Sequence, residues 1–193
     1  MTAPDLTAPE PTPLVPSGLL GIAIFVAAEA MFFAGLISAY WVLRTQAMGW
    51  PPFDQPRLPV AVTGVNTGVL FLSGLAMHRA LRTATGRRQH LARWLIATAL
   101  LGALFLAVQG FEWIRLIGFG LTTASSLYGA TFYTLVGAHA LHVVAALAVL
   151  LWVTALAVRR PEELDATALR VCHVYWLFVV GVWPVIYGLV YLA

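Results

Sequence analysis

The 193 residues would fill one soluble domain, but 61% are hydrophobic and only 10% charged. Mean hydropathy is +0.86, whereas a soluble domain carries about 25% charge. This excludes a water-facing globule and implies a membrane protein with room for several spanning helices of ~20 residues each. All 11 basic residues are Arg, set against 8 acids. Their clustering between apolar segments reads as a topology signal, not as a nucleic-acid footprint. The lone cysteine, Cys172, excludes an internal disulfide, an iron–sulfur cluster and a CxxCH haem attachment.

In chain order, residues 1–17 come first, with five of the 11 prolines and no Arg. They read as a short disordered tail and not as a signal peptide. Five apolar segments follow, at about 18–43, 59–81, 91–117, 126–158 and 171–192. Each is long enough to cross a hydrocarbon core of ~30 Å and must be helical to satisfy its own backbone. The expected architecture is an all-α, polytopic bundle of five transmembrane helices forming one domain over residues 18–193. Arg79, Arg82, Arg87, Arg88 and Arg93 lie between spans two and three, and Arg159, Arg160 and Arg170 between spans four and five. Only Arg44, Arg57 and Arg115 fall on the opposite side, which predicts an N-terminus inside and a C-terminus outside.

Small residues recur at Gly21, Ala28 and Gly35 on span one, Gly64 and Gly68 on span two, and Gly181 and Gly188 on span five. They are expected to mark close helix–helix contacts, either within the bundle or at a partner site. Pro184 is expected to kink span five.

Glu29 is the sharpest polar feature. It lies about 11 residues into span one, ~16 Å deep at the helical rise. An ionised side chain at such a depth costs at least ~2.5–3.5 kcal/mol. Glu29 must therefore face protein, water or a lipid head group, or carry a proton. A proton-linked role and a neutral interhelical hydrogen bond both fit. His139 and His142 share one face of span four. A metal site or two neutral imidazoles bonding across helices are the alternatives, and the second is favoured. A haem between two helices needs ligands on opposing faces, and a di-iron bundle site needs four carboxylates. Gln109 and Glu112 share a face of span three, with Arg115 one turn on and able to pair with Glu112. Asn66 and Thr67 are expected to donate hydrogen bonds between helices. The Arg79–Arg93 cluster serves topology first and anionic lipid second. His78, His90 and His173 are expected to be solvated at the inner interface.

Several of these segments resemble subunit III of the haem–copper cytochrome oxidases. They are FVAAEAMFFAGL (Phe25–Leu36), WPPF (Trp50–Phe53), VNTGVLFLSG (Val65–Gly74), QGFEW (Gln109–Trp113) and YGATFYTLVGAHALHV (Tyr128–Val143). The likeness is colinear after the tail and is to the short, five-helix bacterial form. One motif departs: where the family's last helix usually reads YWHFVD, this chain reads YWLFVV, with Leu177 and Val180 replacing a His and an Asp.

The resemblance implies a non-redox subunit of a terminal oxidase in the bacterial inner membrane. It would pack on oxidase subunit I, bind phospholipid between its helices, and support proton uptake and sustained oxygen reduction. Haem and copper would sit in partner subunits and none in this chain. Glu29, Glu112, His139 and His142 would be the family's intramembrane polar positions, joined by Asn66 and Gln109. Arg79, Arg82, Arg87, Arg88 and Arg115 would meet lipid head groups. Three other readings stay open: an accessory subunit of a nitric oxide reductase, a stand-alone membrane metalloenzyme using Glu29, Glu112, His139 and His142, and a small proton-coupled transporter.

Overall fold

The computed structural model of the protein describes residues 17–53, 55–84 and 88–192, and of Arg88 the backbone only. Residues 1–16 and Arg87 therefore lie outside the described residues, and Ser17, read with the tail, begins the first helix. Five α-helices make up the fold: α1 (Ser17–Gln46), α2 (Val60–Thr83), α3 (Arg88–Gly118), α4 (Leu127–Arg159) and α5 (Ala166–Tyr187). A π-helical segment over Gly188–Leu192 continues α5. All five are long and apolar enough to cross a membrane. The helices overrun the apolar segments, so Arg79 and Arg82 ride on the end of α2 and Arg170 on the start of α5. Long Arg side chains at helix ends can reach the interface while their stems stay apolar.

α2 to α5 form the packed body, and α1 lies outside it against α4 and α5. Trp176 and Trp183, two turns apart on α5, are both fully buried. Their indole N–H groups donate to Ser73 Oγ at 3.3 Å and Thr67 Oγ1 at 2.9 Å on α2. Each hydroxyl in turn donates to its own helix, Ser73 to the Leu70 carbonyl and Thr67 to that of Thr63. Asn66 Nδ2 donates to the Phe105 carbonyl at 3.0 Å, which joins α2 to α3. Buried polar groups in a lipid solvent have no water to fall back on, so such pairs fix which helices neighbour which. Thr67 differs from its expected role: its hydroxyl donates within α2 and takes the interhelical bond as acceptor.

α4 opens with Ser126 as N-cap, whose Oγ accepts from the Gly129 N–H at 3.1 Å. A side chain at Gly129 would collide with the Thr122 carbonyl, so glycine lets the connection fold back on the helix. Pro184 lies inside α5, and the helix widens after it. The Gly188 N–H is shared between the Pro184 and Val185 carbonyls.

The small-residue expectation is corrected for packing within this chain. Nothing in the protein lies within 4 Å of a Cβ placed at Gly21, Gly35, Gly68, Gly181 or Gly188. The close approaches fall elsewhere. At Gly102 a Cβ would stand 2.5 Å from the Trp176 ring, and at Gly74 one would stand 3.3 Å from Val180. Gly64 alone of the expected set is crowded, by the Tyr187 hydroxyl. A seven-residue repeat locates a face but not what that face meets.

Gly102→Ala is expected to lower stability by about 1–3 kcal/mol through overpacking against the buried Trp176. Gly68→Ala, which meets open space, should be neutral or gain about 0.5–1 kcal/mol from helix propensity. Thermal melting of the purified protein in detergent distinguishes them, and equal effects would contradict this packing account.

Candidate functional site: the Glu29–His142 pair and its surroundings

Glu29 sits in the middle of α1 and His142 in the middle of α4. His142 Nε2 lies 2.8 Å from Glu29 Oε2, with both side chains less than one-fifth exposed. The other ring nitrogen, Nδ1, lies 2.7 Å from the Ala138 carbonyl. A carbonyl oxygen can only accept, so Nδ1 carries a hydrogen. The Nε2–Oε2 contact then needs one proton between its two heavy atoms. Either a carboxylic acid donates to a neutral imidazole, or an imidazolium donates to a carboxylate. Both arrangements have zero net charge. The cost of an acid at this depth is met by sharing one proton, and that proton can cross the bond without changing the charge of the pair.

Aromatic rings enclose this pair. Phe32 stacks on His142 at a centroid distance of 5.8 Å, and Phe33 meets it edge-on at 5.0 Å. Phe33, 2% exposed, also meets His139 at 6.2 Å. His139 in turn stacks on Trp183 at 5.0 Å. The two histidines therefore differ. His142 bonds across helices as expected, whereas His139 is buried with neither ring nitrogen bonded to a protein group.

The remaining polar residues form separate contacts. Gln109 Nε2 donates to the Tyr191 hydroxyl at 3.0 Å, tying α3 to the π-helical end. Glu112, buried on the same face of α3, accepts from Arg115 Nη1 at 3.0 Å, and the Arg115 side chain is half exposed. Among the described residues no three His, Cys, Asp or Glu side chains converge as metal ligands would. Glu112 is engaged with Arg115 and not gathered to Glu29, His139 and His142, so these four residues do not form one set of metal ligands.

At the opposite end from the α1–α2 turn, Arg79 lies over the Trp94 ring, 5.2 Å from its centroid. A groove of about 470 Å³ lies against His90, Arg93, Trp94 and Ala97. His78 and His90 are exposed as expected. His173 is not: its Nε2 is buried without a partner and its ring faces His78 at 5.8 Å. Sequence position at a helix end gave no sign of this, because α5 begins five residues before its apolar segment.

Three further groups attach α1 and were not expected from the sequence. Tyr40 Oη and Arg44 Nη1 donate to the Leu189 carbonyl at 3.3 and 3.1 Å, and Trp50 Nε1 donates to Tyr40 Oη at 3.3 Å.

Residues 8–193 match the family model described as cytochrome c oxidase subunit III. The chain is 35% identical over 178 residues to cytochrome c oxidase subunit 3 of Synechocystis sp., covering 90% of this chain and 75% of that one. It is 37% identical over 177 residues to the probable cytochrome c oxidase subunit 3 of Nocardia farcinica, covering 89% and 86%. The probable subunit 3 of Mycobacterium leprae is 36% identical over 175 residues, again covering 89% and 86%.

Removing either partner of the Glu29–His142 pair strands the other, at an expected cost of about 1–3 kcal/mol. Glu29→Ala and His142→Ala combined should cost less than the sum of the two by about 1 kcal/mol. Detergent melting of the four proteins measures this coupling, and strict additivity would mean that the contact does not operate.

Proposed function

The chain belongs to the cytochrome c oxidase subunit III family, and from that premise we propose that it serves the oxidase as a proton-holding, lipid-ordering flank of subunit I. Membership makes it a subunit of a haem–copper oxidase, an oxidoreductase complex, and a multi-pass protein of the bacterial inner membrane. The finer role is our reading. Haem and copper belong to partner subunits, since the ligand chemistry of this chain does not suit them. The electrons of oxygen reduction pass elsewhere, and this chain acts on protons, lipid and the durability of the centre beside it.

One observation carries the reading: the 2.8 Å contact between Glu29 Oε2 and His142 Nε2, which calls for one shared proton. A neutral pair inside the membrane can take up or release a proton at one end while the other end compensates, which bulk-exposed carboxylates do not need to do. It also presents a polar edge, less than one-fifth exposed, in an otherwise apolar wall. Such an edge can order a lipid ester or a water at the boundary with subunit I. Arg79, Arg82 and Arg115 supply cationic groups for phospholipid head groups at the two ends of the bundle. Arg88 and Arg87 join them by sequence position. The Arg distribution supports an inside N-terminus, which sets Arg79 and Arg82 in the anionic cytoplasmic leaflet. The names of the relatives favour this oxidase reading over a nitric oxide reductase accessory. The engagement of Glu112 with Arg115 counts against a metalloenzyme.

The test is a turnover time course of the assembled oxidase with haem content checked. Glu29→Ala should keep near-wild-type initial oxygen reduction and full haem. It should inactivate roughly tenfold faster, the rate equivalent of losing about 1.4 kcal/mol of hydrogen bonding. Complete loss of initial activity with haem and subunits retained would overturn the supporting role.

A further inference from the structure

We propose that the face of α3 running from His90 to Val108 binds one anionic phospholipid of the phosphatidylglycerol type, with its head group at the end where α2 leads into α3 and an acyl chain along the helix. Two grooves lie on that face. The first, about 470 Å³, is lined by His90, Arg93, Trp94 and Ala97. The second, about 440 Å³, is lined by Leu104 and Val108 of α3 and by valines of α2. Residues three, four and seven apart share one side of a helix, so the α3 members of both grooves line up. Leu104 lies ~16 Å beyond Arg93 at the helical rise. One leaflet of a ~30 Å hydrocarbon core is about that deep.

Charge selects the head group. Arg79 of α2 lies over the Trp94 ring, 5.2 Å from its centroid, and so brings a second guanidinium beside the first groove. Arg79, His90 and Arg93 are exposed, and none of the ion pairs among the described residues uses them. Residues 55–111 contain no Asp or Glu. A phosphodiester accepts well from guanidinium groups, whereas the cation of a choline or ethanolamine head group would stand among like charges. Depth selects the rest of the ligand. Free phosphate or an acidic protein segment would meet the Arg side chains and leave the apolar groove one leaflet deeper unfilled. A lipid fills both. Resting on the head-group role proposed above for Arg79, the site is independent of any proton role of the Glu29–His142 pair.

The experiment places the intact oxidase in nanodiscs of phosphatidylcholine and phosphatidylglycerol, with bromine on the acyl chains of one lipid at a time. Retained lipid is counted by native mass spectrometry, and Trp94 emission is isolated as wild type minus Trp94→Phe. Neither readout reports turnover, so the result stands apart from the Glu29→Ala time course. Brominated phosphatidylglycerol should quench Trp94 more than brominated phosphatidylcholine at equal fraction. Wild type should retain one more phosphatidylglycerol than the Arg79→Gln, Arg93→Gln double variant. The half-saturating fraction should rise about 25-fold in that variant, each lost cation counting for about fivefold. Equal quenching by the two lipids, or unchanged retention in the double variant, overturns the proposal. So does a Trp94 that neither lipid quenches, the result expected if another subunit covers this face. Where a variant fails to assemble, competition in wild type decides: retention without preference for phosphatidylglycerol overturns the site.

Discussion

Lipid tails are as apolar as the side chains they touch, so burying Leu against Leu drives helices together far less in a bilayer than in water. α1 makes this constraint visible. Only Phe33 and Tyr40 are buried on a helix of 30 residues. Its attachment depends on polar contacts at two levels: the shared proton of Glu29 and His142 mid-helix, and the Tyr40 and Arg44 donors to the Leu189 carbonyl at one end. Intrahelical donors run out near the end of a helix, so that carbonyl is available to an outside partner. The pair assigned a function is thus also a structural joint, and the two roles share one proton. Deleting it should loosen α1 before it disturbs the packed body of α2 to α5.

Within that body the hydrogen bonds between α2 and α5 are paired donor to acceptor. The two tryptophans of α5 reach hydroxyls of α2 that are already bonded to their own helix, leaving no unpaired hydrogen on either side. Trp183 then serves twice, as donor to α2 and as the stacking face that sets the His139 ring. Charge follows the same economy. Glu29 and Glu112 each meet a nitrogen partner at 3.0 Å or less, and Glu112 lies where Arg115 can extend toward water. Isolated charge inside the bilayer would be costly, so pairing with net neutrality is the condition under which these acids exist at all.

The sequence made the number, length and helical nature of the spans legible, because hydrocarbon thickness and backbone satisfaction leave one solution. It also singled out Glu29, whose depth alone demands an explanation. It did not reveal the partner. His142 and His139 look alike in the sequence, three residues apart on one face, yet one shares a proton and the other bonds to no protein group. Only the position of α1 separates them. The small-residue stripe on α1 did not mark packing within this chain for a related reason. In a soluble helix an apolar face must find a core, but in lipid a face of Gly and Ala can meet solvent tails as readily as protein. Of the glycines under the tightest contacts, Gly102 and Gly129 belong to no repeat, and Gly64 alone belongs to one. The need at Gly102 and Gly129 arises from a tryptophan on α5 and from a carbonyl in the preceding turn, both remote from any local pattern.

The departure in the last helix fits the same physics. Where the family motif carries a His and an Asp, Leu177 and Val180 pack toward Gly74 of α2, and a Cβ there would stand 3.6 and 3.3 Å from them. Val180 is 6% exposed. A carboxylate in that place would need a partner on α2, and the nearby α2 hydroxyls, Ser73 and Thr67, already serve Trp176 and Trp183. Leu and Val need no partner, only room, and Gly74 leaves it. The α2–α5 contact is therefore apolar between its two indole bonds, and the intramembrane acids of the chain are confined to α1 and α3. Leu177 and Val180 need no hydrogen-bond partner on α2, whereas Glu29 stands opposite a histidine that supplies one.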